Sequence, residues 1–208
     1  MRRISLFAIL ACPLLAQPGD IPKSIADSVG GILGVAEGQL LSVAEAMPES
    51  KYSFIPTAGN FDGTRSFGEQ VKHVACSHFA FFNEIEGKTP PETCEKGGPS
   101  KAATKAELIK YLRDSFDYGN KVLATINAQN ALMRVEGRYA GPNTRLGIAV
   151  TSVWHITDHY GQLVEYLRMN GIVPPASVKY GLKVQQRKLA SPPVWFFPVC
   201  SFVDKSWS

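Results

Sequence analysis

Four stretches of the chain repeat apolar residues at helical spacing, and connections rich in glycine and proline separate them. In residues 24–47 the apolar stripe is Ile25, Val29, Ile32, Ala36, Leu40, Val43 and Met47, with Pro22 placed to start a helix and Pro48 to stop it. Gly30, Gly31 and Gly34 weaken that helix by about 1 kcal/mol each relative to alanine, and they permit close packing of a neighbour. Residues 48–63 read as a connection. Ser66-Phe67-Gly68-Glu69 then matches a capping box, and Phe67, Val71, Val74, His78, Phe82 and Ile85 follow as a second stripe. Residues 87–100 form another connection. A second capping box, Thr104 to Glu107, opens a third helix with Leu108, Leu112, Phe116, Gly119, Val122 and Ile126, expected to end near Arg134. After a loop at 136–142, Asn143 or Thr144 caps a fourth helix. Its stripe is Leu146, Ala149, Val153, Ile156, Tyr160, Leu163 and Leu167, and Asn170-Gly171 with Pro174-Pro175 stops it. No stretch carries a convincing strand pattern. The expected fold class is all-α, a four-helix bundle, with connections too long to reveal the order of its helices.

A second, polar line runs beside the fourth stripe: Ser152, His155, His159, Gln162 and Tyr166. Residues four apart lie one above the other on a helix, so His155 and His159 can aim two imidazoles at one point. His73, at the edge of the second stripe, is the candidate third ligand for a metal. The same spacing also suits polar positions on a solvated face, or hydrogen-bonded core histidines. His78 falls within its stripe and reads as packed core rather than as a ligand. The chain is not a zincin protease, because the glutamate of His-Glu-x-x-His is replaced by Ile156. Asp158 lies about 100° around the helix from His159 and is expected to face solvent. Ser152 and Gln162 are the near-site candidates, placed either to contact a metal-bound water or to serve as polar edge residues. Trp154 and Tyr160 read as packing.

The ends and the composition set the context. Met1-Arg2-Arg3 followed by an apolar run to Ala16 reads as a secretory signal peptide, residues 1–16. The protein is therefore expected to be exported, periplasmic or extracellular. Ile9-Leu10-Ala11-Cys12 also resembles a lipobox, so a lipoprotein anchored through Cys12 is the second option. No later segment is long and apolar enough to cross a membrane. Residues 22–177 suffice for one domain with a sizeable core. Residues 178–208 form an aromatic, proline-rich tail without period. The net charge of +4 is spread along the chain with no basic arm, so nucleic acid is not an expected partner. Export allows disulfides, and Cys76–Cys94 is the pair to test, although Cys76 reads equally well as a buried free thiol.

Three segments resemble one family: Arg65 to Ala75 around His73, His155-Ile156-Thr157-Asp158-His159-Tyr160-Gly161-Gln162, and Tyr166 to Pro175. Together they are similar to the DinB/YfiT-like superfamily over roughly residues 25–177. The resemblance implies a four-helix bundle of the DinB/YfiT-like type with a divalent metal held by His73, His155 and His159. It also implies a possible homodimer and an unknown small-molecule substrate. Some members are thiol-dependent isomerases or transferases. Three neutral imidazoles would leave a zinc or nickel ion its full charge and an open position, as in catalytic sites. Such an ion lowers the pKa of a bound water to about 7 or activates a thiol. The expected function is a metal-dependent hydrolase or a thiol-dependent transferase. Export favours the hydrolase, since thiol cofactors belong mainly to the cytosol. The alternative is a metal- or ligand-binding bundle without turnover.

Overall fold

The computed structural model describes residues 21–139 and 141–178. The expected signal peptide with Cys12, most of the C-terminal tail and Cys200 lie outside the described residues. Four long helices carry the fold: α1 (Ile25–Ala46), α2 (Phe67–Ile85), α3 (Lys105–Leu123) and α4 (Arg145–Met169). Helix α2 packs on α3 and α4, and α1 packs on α4 and α3, so α1 and α2 stand at opposite corners of a four-helix bundle. Among the described residues no helix is long and apolar enough to cross a membrane.

Each helix starts where a short polar side chain can satisfy its free N–H groups. Ser24 accepts from Asp27 N at 3.0 Å, and Thr144 accepts from Gly147 N at 3.0 Å. Ser66 with Glu69, and Thr104 with Glu107, complete both expected capping boxes. Helix α4 ends in a Schellman motif. Gly171 adopts φ 72°, its N–H bonds Arg168 O, and Ile172 N–H bonds Leu167 O. A helical turn at 175–178 follows.

The stripes of α2, α3 and α4 supply most of the core, with Phe67, Phe82, Leu112, Ile156 and Leu163 fully buried. In α1 the stripe passes through Leu33, which is 0% exposed, and not through Ile32, which is 63% exposed. Both fit helical spacing from Val29. Only Leu33 also lies two turns before the buried Leu40, in line with it.

The third helix stops at Leu123, well before Arg134. Asn127 Oδ1 accepts from the backbone N of Gln129 and Asn130, and Asn130 Oδ1 accepts from Asn127 N. These local bonds offer the backbone a turn in place of the helix. The chain then forms a two-residue antiparallel pair, β1 (Arg134–Val135) with β2 (Asn143–Thr144), too short to leave an alternating pattern in the sequence. The same segment lends the carbonyls of Met133 and Ala131 to the N–H groups of Arg145 and Leu146 at the start of α4.

Candidate metal centre

Helices α2 and α4 are neighbours in the bundle, and this brings His73 against His155 and His159. Their ligand atoms lie within 4.8 Å of one another. His73 and His159 are buried and His155 is half-buried. The Nε2 atoms of His73 and His155 are 3.2 Å apart. Two nitrogens bound to one tetrahedral zinc at about 2.0–2.1 Å would stand about 3.3 Å apart. The Phe81 ring packs edge-on against His155 at 5.5 Å.

The remaining ring nitrogens determine where the lone pairs point. His73 Nδ1 lies 2.7 Å from the Cys94 carbonyl oxygen, which can only accept, so this nitrogen carries the proton and Nε2 is the free donor atom. His159 is fixed through a longer chain. The Asp158 carboxylate accepts from Gln162 Nε2 at 2.9 Å, Gln162 Oε1 accepts from Gln70 Nε2 at 2.8 Å, and Gln70 Oε1 accepts from His159 Nδ1 at 2.6 Å. An ionised carboxylate cannot donate, so it orients both amides and leaves His159 Nε2 with a lone pair.

Electrostatics keep the three rings neutral. Burial lowers all three imidazoles. Repulsion from His159 and His73 adds to burial at His155, which reaches about 2. Repulsion from His73 adds to burial at His159, which reaches about 4, while Asp158 partly offsets the shift. Arg65, paired with Glu95, lies close enough to disfavour protonation of every ring in the cluster. Converging neutral nitrogen donors with two tautomers fixed suit a divalent transition ion.

Of the two near-site candidates, Gln162 joins the cluster indirectly, through Gln70. Ser152 does not face it. Its fully buried Oγ pairs with His78 Nδ1 at 2.9 Å, because position 152 points at α2 one turn below His155. His78 is core, as its place in the stripe predicted. Its other nitrogen, Nε2, has no hydrogen-bond partner and lies 3.8 Å from the equally unpartnered Glu37 Oε1 on α1. Helix α3 makes room for this ring with Gly119, where an added Cβ would overlap His78 and Phe82.

Two participants escaped the sequence reading. Gln70 stands one turn before His73 on the same helix face, and that spacing was the available signal. The Cys94 carbonyl left none, because any residue supplies one.

A four-helix bundle with three histidines converging from two adjacent helices defines the class. The DinB superfamily profile matches residues 33–163, and the chain belongs to that superfamily. Solved structures agree in fold. A DinB-like protein of Bacillus cereus is 14% identical with a TM-score of 0.60, over 74% of this chain and 98% of that one. A conserved protein of Enterococcus faecalis is 16% identical with a TM-score of 0.56, over 70% and 96%. A DinB-like protein of Bacillus subtilis is 17% identical with a TM-score of 0.55, over 69% and 92%. No curated protein matches the chain.

Proposed function

We propose that the protein is an exported metal-dependent enzyme of the DinB type. Its three histidines hold one divalent ion, zinc or nickel, through Nε2. The observation that carries this reading is the convergence of neutral ring nitrogens whose opposite faces are already committed to Cys94 O and Gln70 Oε1. A bound ion would supply Lewis acidity to a water, a carbonyl or a thiol. The chain's own contribution is positional: Cys94 and the Asp158–Gln162–Gln70 series aim the rings, and Phe81 shields one side of His155. Hydrolysis of a small ester or amide is the preferred reaction, and thiol transfer the other. The basic-then-apolar sequence of residues 1–16 and the Cys76–Cys94 disulfide support export, since disulfides persist in oxidising compartments.

One observation favours a second reading, a bundle that binds metal or ligand without turnover. Asp158 is engaged by Gln162 and Ser152 by His78, so neither is free to act as a general base. Elemental analysis of the purified protein beside His73→Ala and His155→Ala tests the centre. About one equivalent of zinc or nickel, lost in both variants, is expected. No metal after reconstitution, or full retention in His155→Ala, would overturn it. A screen of esters, amides and thiol acceptors with the loaded protein then separates enzyme from binding bundle.

A further inference from the structure

Cys94 touches the centre twice over. Its carbonyl oxygen accepts from His73 Nδ1 at 2.7 Å, and its sulfur is bonded to Cys76. Cys76 stands three residues after His73 on α2, so the two share a helix face. Helix α2 thus carries both the ring that meets the carbonyl and the sulfur that holds the residue bearing it. The loop is small and closed: His73, one turn of α2, Cys76, the sulfur–sulfur bond, Cys94, and back through the carbonyl to His73.

The remaining hydrogen bond to this carbonyl, from Gly97 N–H at 2.8 Å, lies within its own turn and does not tie it to α2. Cys94 opens a single 3-10 turn, Cys94–Lys96, inside the long connection between α2 and α3. The backbone there is forced through left-handed conformations at Thr93 (φ 58°), Gly97 (φ 84°) and Gly98 (φ 71°). Thr93 is the only residue other than glycine with positive φ among the described residues. Gly98 passes so close to the disulfide that an added Cβ would overlap Cys76 Sγ. Both cysteines are 0% exposed. The other ties act on neighbours or on the amide: Tyr139 Oη accepts from Cys94 N at 3.3 Å and donates to Pro91 O at 2.9 Å, and Arg65 Nε donates to Glu95 O at 2.9 Å.

We propose that the Cys76–Cys94 disulfide is a positioning element of the metal centre: it pins the Cys94 carbonyl against His73 Nδ1, fixes His73 as an Nε2 ligand, and makes metal affinity depend on the oxidation state of the pair. The inference rests on the metal-centre reading above. Reduction by a phosphine breaks the sulfur–sulfur bond. Phosphorus bonds one sulfur, the other leaves as a thiolate and takes a proton. Water then releases the first as a thiol and leaves the phosphine oxide, so two thiols form for one phosphine oxidised. Cys94 is then free to leave α2, and His73 loses the acceptor that kept its proton on Nδ1. Loss of such a hydrogen bond typically lowers metal affinity about 10–100-fold.

The test uses the oxidised, metal-free full chain and Cys76→Ala/Cys94→Ala, which introduces no thiol ligands. Zinc is titrated into each, and long-range proton–nitrogen NMR reads the His73 tautomer. A double variant with native helix content, about 10–100-fold weaker zinc binding and a His73 no longer held as the Nδ1–H tautomer is expected. Equal affinity and an unchanged tautomer in the folded variant would overturn the proposal. Should the variant not fold, the native protein is compared before and after phosphine treatment. Saturating zinc should then slow the reduction of the disulfide by the phosphine. Protection absent at saturation counts against the proposal. If the oxidised protein takes up no zinc at all, it is the metal-centre reading that has failed, and the tautomer still decides whether the disulfide governs His73.

Discussion

Glu37→Gln should stabilise the protein, and do so more at high pH. Glu37 is buried on α1. Its Oε2 accepts from Asn120 Nδ2 at 2.9 Å, and its Oε1 has no partner and faces His78 Nε2. Burial, with a smaller push from Asp117, raises this carboxyl from 4.5 to about 7. The native state therefore binds the proton more tightly than the unfolded chain between those values, so stability falls as pH rises from about 4.5 to 7 and is level above. The full shift corresponds to about 3 kcal/mol, and the cleft beside Glu37, lined by Arg113, Asp117 and Asn120, reduces that to about 2. Glutamine imitates the protonated acid: its oxygen keeps Asn120 and its amide donates to His78 Nε2. Urea denaturation followed by circular dichroism should give a gain of about 2 kcal/mol at pH 8, or about 4–8 °C in Tm, shrinking toward zero near pH 4.5. A gain that does not change with pH, or a variant less stable than the parent at pH 8, would refute the reasoning.

Other perturbations address the centre and the core. Because His155 and His159 are pushed to about 2 and 4 and His73 is lowered as well, protons compete with metal only in acid, so zinc affinity should stay nearly level from pH 8 to about 5.5. A steep loss centred near 6.5 in an isothermal titration series would show that the rings titrate like free imidazoles. Gln70→Ala should weaken zinc binding by about 10–100-fold, and Asp158→Ala by less, since Gln70 touches His159 and Asp158 acts through two intervening side chains, Gln162 and Gln70. The reverse order would remove the relay as an explanation. Gly119→Ala should cost about 1–3 kcal/mol in urea denaturation, because its methyl overlaps His78 and Phe82; a neutral result would mean that α3 shifts freely.

The parts legible in the sequence were those set by local rules. Capping boxes announce themselves within four residues, so Ser66 and Thr104 are readable as helix starts without knowledge of the fold. The buried stripes of α2 to α4 follow from helical spacing alone. The histidine trio was legible because two members share a helix and the third carries its family's surrounding residues. Failures came where a choice depended on a distant partner. Ile32 and Leu33 are both compatible with α1, and only the neighbouring helices select Leu33. Ser152 lies in line with His155 and yet serves His78, since the side of the line it faces is decided by the bundle. The early end of α3 arises from asparagine side chains competing for backbone, a local signal that the apolar periodicity through Ile126 masked.

The separation of 82 positions from His73 to His155 also orders the protein's birth in time. A nascent chain emerging N-terminus first displays His73 while the other two histidines are still unmade. Cys76 and Cys94, 18 residues apart, are likewise both made before α4. The residues that aim His73 from Cys76 and Cys94 are therefore made early, and the trio is completed only with α4. A chain broken off before α4 owns a single member of the set, so possession of the complete cluster certifies that translation passed His159.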